Sequence, residues 1–330
     1  MMKKLLSLLL AAMMLLSCLP ALAEAGENAS TKEITFDDLL AAAEGGDITA
    51  MLQVAQAYYQ GSDAVEKDYP TAYIWFLKVA KQGHAAGQYN VGVLYMSGVL
   101  GEPDYDAALH WLEKAAAQNH EYALINLGAM YESGLGVDKD AAKAAAYYQQ
   151  AADLGSATGW LQLGQLRYAS GVEGSLAEAF QCFEEATNLG NAQAAYNLGV
   201  MTANGESVEA DHAAAREWYI IAADLGLPRA QTTVGAYYLG TNGIEADYDK
   251  AFQYFSMATQ QGDADALYFL GLCYEQGFGT EANTESAMNC YEVAAMMGNE
   301  SAKERISVLK QMQTYMDLAE ENGEAGSEQP

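Results

Sequence analysis

Positive charge is scarce in this 330-residue chain: 16 lysines and arginines stand against 44 aspartates and glutamates, a formal net charge of −28. Such a surface repels nucleic acid and anionic membranes, so neither is an expected partner. Histidine is scarcer, four in all, and no pair among His84, His110, His120 and His212 has metal-ligand spacing. No metal and no cofactor is expected. A Gly-x-Ser-x-Gly elbow is missing, and the glycine-rich turns lack the Lys and Ser/Thr of a phosphate-cradling loop. No segment alternates like a strand, which argues for an all-α chain. Long apolar runs are reduced to one, residues 5–16, and nothing else is long and apolar enough to span a bilayer.

That run follows Lys3 and Lys4 and precedes Ala21 and Ala23, the pattern of a secretory signal peptide over residues 1–23, cleaved after Ala23. Cleavage removes two lysines and no acid, so 14 basic residues remain against 44 acidic ones, a formal charge of −30. A rival reading takes the "LLSC" ending at Cys18 as a lipoprotein box, which tethers the chain by a lipid on that cysteine. Both readings place the protein outside a bacterial cell, secreted or held at its envelope.

What the chain has in abundance is itself. Ala72, Ala108, Ala144, Ala179, Ala215, Ala251 and Ala287 recur every 36 residues with a single step of 35. Gly92, Gly128, Gly164, Gly199, Gly235 and Gly271 keep the same step, with Ala55 in the earliest slot. A period of this length means stacked supersecondary units. Seven units follow: 47–83, 84–119, 120–155, 156–190, 191–226, 227–262 and 263–298. Ala266, Leu270 and Tyr274 fall on one face of a first helix, and Ala108, Trp111 and Ala115 form the inward stripe of a second. Asp68, Asp104, Asp140, Ser175, Asp211, Asp247 and Asn283 stand four residues before the stripe alanines, a column of N-caps, with Ser175 and Glu178 spaced for a capping box. Gly83, Asn119 and their equivalents suit left-handed C-caps.

These residues resemble the Sel-one-like repeat (SLR) family, relatives of the tetratricopeptide repeats. The likeness lies in "ALINLGAMYESGLGVDKDAAKAAAYYQQAADLG" from Ala123, in "AAYNLGVMTANGESVEADHAAAREWYIIAADLG" from Ala194 and in five further copies. It implies an all-α, right-handed superhelical solenoid of helix-turn-helix repeats. Repeat four departs from it, with Arg167 in place of a tyrosine and a shortened linker. Residues 24–46 then hold a linker and an N-terminal capping helix, 299–320 a C-terminal capping helix, and 321–330 a disordered acidic tail.

One register of the first helices carries Gln53, Asn90, Asn126, Gln162 and Asn197, then Thr233 and Phe269. A carboxamide both donates and accepts, so the ladder suits an extended peptide backbone or, equally, ties between neighbouring helices. In related tetratricopeptide folds the first helices line the concave groove; by that resemblance the ladder, flanked by Tyr89, Tyr196 and Tyr268, forms a partner-binding groove. Cys273 and Cys290 lie on the paired antiparallel helices of repeat seven and are candidates for a disulfide in an oxidising compartment. Ser307 and Lys310 match the Ser-x-x-Lys pair of penicillin-interacting enzymes, but no SDN or KTG partner accompanies them. The expectation is a monomeric, exported, non-catalytic scaffold that binds an unknown protein or peptide. The alternative, carried by the resemblance, is a cell-envelope hydrolase or a protein binding β-lactam or envelope glycan.

Overall fold

The computed structural model describes residues 35–325, apart from 63, 64, 173, 242 and 244. The leader, Cys18 and residues 326–330 lie outside the described residues. A single helix comes first, α1 (Phe36–Glu44). Seven helix pairs follow: α2 (Ile48–Gln60) with α3 (Tyr69–Lys81), α4 (Ala85–Ser97) with α5 (Tyr105–Ala116), α6 (Glu121–Ser133) with α7 (Ala141–Asp153), and α8 (Ala157–Ala169) with α9 (Ser175–Asn188). Then come α10 (Ala192–Asn204) with α11 (His212–Asp224), α12 (Pro228–Tyr238) with α13 (Tyr248–Thr259), and α14 (Ala264–Gln276) with α15 (Thr284–Met296); α16 (Glu300–Ala325) closes the chain. Among the described residues there is no strand, and the architecture is an all-α repeat solenoid.

Short polar side chains set the helix starts. Asp68, Asp104, Asp140, Asp211, Asp247 and Asn283 each accept a backbone N–H at the head of a second helix. Asp47, Asn191 and Asp263 do the same for first helices. Ser175 is a correction: Gly174, at φ 81°, holds the N-cap place and makes no side-chain cap, so the capping box with Glu178 does not form. The shortened linker of repeat four draws Ser175 into the helix, where its buried Oγ has no hydrogen-bond partner. A capping box does form at Thr35, whose side chain and that of Asp38 satisfy each other's backbone N–H. Each unit ends on a left-handed residue, including Asn119 at φ 60° in a place otherwise held by glycine.

The column glycines mark a close approach. A methyl group added at Gly128 would lie 2.5 Å from Tyr148 Cε1, and one at Gly271 would lie 2.6 Å from Tyr291 Cε1. The ring of the second helix therefore rests directly on the backbone of the first. Both rings are anchored at their far ends, where the hydroxyls donate to Glu132 Oε2 (2.7 Å) and Glu275 Oε2 (2.8 Å). Glu275 also receives Arg305 of α16 in a forked ion pair, while Ala302, Ile306 and Leu309 pack on the last repeat. The closing helix runs to Ala325, past the expected end at 320. Gly323 costs about 1 kcal/mol inside a helix but does not stop one, and the first proline after it is Pro330.

The chain divides into two compact units between Ala169 and Ser170, inside repeat four. In repeats three and six a tyrosine of the first helix stacks on one of the second, Tyr131 on Tyr147 and Tyr238 on Tyr254; the same columns of repeat four hold Arg167 and Cys182. The first unit packs Val54 and Ala55 of α2, Phe76 and Val79 of α3, and Leu94 of α4 into one core. The second packs Tyr219 and Ala222 of α11 with Val234 of α12, and Phe255 of α13 with Leu270 of α14.

Candidate functional site

The site begins with two threonines. Thr232 and Thr233 of α12 occupy columns that hold Tyr196 and Asn197 in the repeat before and Tyr268 and Phe269 in the repeat after. The shorter side chains leave an open cleft of about 420 Å³ across α10, α12 and α14, within the second unit. Tyr196, Tyr237 and Phe269 supply its aromatic surface. Those rings are held from behind: Phe269 stacks on Phe255 at 5.1 Å between centroids, and Tyr196 leans on Tyr219 at 5.1 Å. Tyr237 is 6% exposed, its hydroxyl 3.3 Å from His212 Nδ1.

The polar lining is rich in acceptors. Thr232 donates to Pro228 O (3.3 Å), Thr233 to Arg229 O (2.8 Å) and Thr241 to Ala236 O (3.0 Å). Each hydroxyl proton is committed to the backbone, and each oxygen is left to accept. Asp263 Oδ1 caps α14 through Ala266 N, and Asp265 Oδ1 receives Asn299 Nδ2 at 2.7 Å; each carboxylate keeps a second oxygen. Against these acceptors stands one cation, Arg229, with its guanidinium 4.4 Å from the Tyr196 ring centre. None of the three threonine hydroxyls is bonded to a base; each donates to a backbone carbonyl.

The expected ladder is distributed differently from a uniform presenting face. In the first unit Asn126 is 1% exposed, with both amide atoms lacking a partner within the protein. Asn90 is also buried and donates back to Ala86 O at 2.8 Å, while Gln53 and Gln162 are partly buried. Tyr89 is buried and stacked on His120 at 4.6 Å. In the second unit Asn197 is partly buried and accepts from Gln193 at 2.9 Å; Tyr196 and Tyr268 are partly buried, and of all these only Tyr196 lines the cleft. Carboxamides do tie neighbouring repeats, but from other columns: Gln118 donates to Gly83 O (2.9 Å), and Gln231 to Ala223 O (3.3 Å). Sequence reasoning missed Arg229, Thr232 and the two aspartates. The available signal was the threonine standing in a tyrosine column.

Cys273 and Cys290 stand as free cysteines, with Cys290 packed against the core that Cys273 shares with Ala251, Phe255 and Leu270. Burial, with the neighbouring Cys290 second, pushes the Cys273 thiol up to about 12, and a protonated thiol is a poor partner in exchange. Ser307 and Lys310 are both exposed on α16. Among the described residues no three His, Cys, Asp or Glu converge as metal ligands, and no helix is long and apolar enough to cross a membrane.

The sequence matches the family model of the Sel1 repeat seven times, over residues 48–84, 85–120, 121–156, 161–191, 192–227, 228–263 and 264–299. Among solved structures it is similar to c5321, described as a protective antigen present in uropathogenic Escherichia coli strains and displaying an SLR fold. That likeness has 30% identity and a TM-score of 0.69, and covers 84% of this chain and 59% of that one. It is similar as well to a Sel1 repeat protein from Oxalobacter formigenes, at 28% identity and TM-score 0.67, over 93% of this chain and 86% of that one. A comparison with curated proteins gives no match.

Proposed function

Because this chain belongs to the Sel1 repeat family, we propose that it is an exported, non-catalytic scaffold that holds an extended segment of another protein against its first helices. The observation that carries this reading is the cleft across α10, α12 and α14, which opens on three successive first helices and is lined by rings and fixed polar groups. Repeat stacks offer such surfaces because each unit buries its apolar face on its neighbours and leaves a repeated face outside. Export rests on the leader at residues 1–23.

Immobilised chain from Glu24 to Pro330, exposed to envelope and culture-supernatant fractions at low and moderate salt, is expected to retain a specific protein at both. Retention only at low salt would reduce the interaction to charge attraction, and retention of glycan alone would overturn the reading. Mass spectrometry of the native N-terminus decides the address. A start at Glu24 supports secretion, a lipid-modified Cys18 supports tethering, and an intact leader on a cytoplasmic chain refutes export.

A further inference from the structure

We propose that the cleft between α10, α12 and α14 takes a cationic side chain, arginine or lysine, presented by an extended segment of the partner protein. The inference rests on the scaffold reading above and adds the partner's chemistry.

Three observations converge on it. The cleft is unbalanced toward acceptors: the hydroxyls of Thr232, Thr233 and Thr241 already donate to backbone carbonyls and can only accept further bonds, and Asp263 and Asp265 each keep an oxygen free of the contacts described. A guanidinium or ammonium brings donors only and matches that lining, whereas a sugar hydroxyl brings one donor with every oxygen and needs donors in return. The rings accept a cation, since Arg229 already lies over Tyr196 at 4.4 Å. Finally, the chain has few cations of its own to compete. Lys78 and Lys114 lie over Trp75 and Trp111, Lys250 pairs with Asp247, and Arg305 pairs with Glu275. With a net charge of −28, the surface draws a basic segment in from solution. Within the cleft the incoming cation goes to the α14 side, beside Asp263 and Asp265, and Arg229 at the α10 side donates to a main-chain carbonyl of the same segment.

The test uses the whole chain and a ten-residue fluorescent peptide of alternating arginine and glycine, with citrulline replacing arginine in the control. Binding is read by anisotropy at about 150 mM salt, where exposed charges more than roughly 8 Å apart are screened. The arginine peptide is expected to bind and the citrulline peptide to bind at least about tenfold more weakly, as loss of a charge-assisted contact implies. Thr232→Tyr restores the ring found at Tyr196 and Tyr268 and should weaken the arginine peptide about tenfold by filling the space. Should that variant melt early by circular dichroism, Asp265→Asn serves instead, because it keeps the acceptor for Asn299 and removes only charge. Asp106→Asn, exposed on α5 in the other unit, controls for net charge and should change nothing. Equal binding of the two peptides, or binding unchanged in both Thr232→Tyr and Asp265→Asn, overturns the inference. A natural partner retained equally by wild type and Thr232→Tyr would leave the scaffold reading standing and sink only this one; no partner retained by either would sink the scaffold reading itself.

Discussion

His120 is where burial has its clearest chemical effect. Its ring stacks on Tyr89 at the junction of α5 and α6, and desolvation lowers its pKa to about 4 against an opposing backbone hydrogen bond. In the unfolded chain the same imidazole binds a proton near pH 6.5. The unfolded state therefore gains protons first as the solution is acidified, and the contribution to stability is complete above pH 6.5 and lost as pH falls through the window to 4. The loss specific to this residue should reach about 3 kcal/mol, from the size of the shift. Urea unfolding at pH 7 and pH 4.5 measures it, with His120→Asn as reference, since asparagine caps the equivalent position at Asn191 and does not titrate. Parallel loss in both proteins would mean that acid acts only through the carboxylates.

At the level of the helix, the caps were legible because an N-cap is a local event: one short side chain, one N–H three residues on. Asp140 caps α7 through Lys143 N at 3.0 Å, so Asp140→Ala should lower stability by about 1 kcal/mol. Ser175→Ala in α9 should cost nothing and is expected to raise stability slightly, because it removes a buried oxygen that has no partner. Thermal melts of the two variants side by side decide the point; equal losses would restore Ser175 to the cap. Ser175 misled because a linker one residue shorter changes which residue meets the free N–H groups, and spacing from the stripe alanine does not register that change. The glycine column was equally visible, but its cause was not, because the Tyr148 and Tyr291 rings come from the opposite helix of each pair.

For the molecule as a whole, charge dominates. At −28, and with cations such as Lys78, Lys114 and Arg305 engaged by rings or carboxylates, the folded chain repels itself. Raising sodium chloride from about 20 to about 300 mM shortens the Debye length and should raise the melting temperature by a few degrees. A fall in calorimetry would mean that ion pairs such as Arg305–Glu275 outweigh the repulsion. The sequence by itself determined the seven-fold period, the helix pairs, the left-handed unit ends and six of seven caps, because each is set by residues within one repeat and written seven times. Only the tertiary structure decided that Asn126 is interior, that the compact units part inside repeat four, and that Thr232 opens a cleft. Those outcomes depend on what the neighbouring helices place beside a residue some 36 positions away, and burial of that kind leaves no mark on the local spacing.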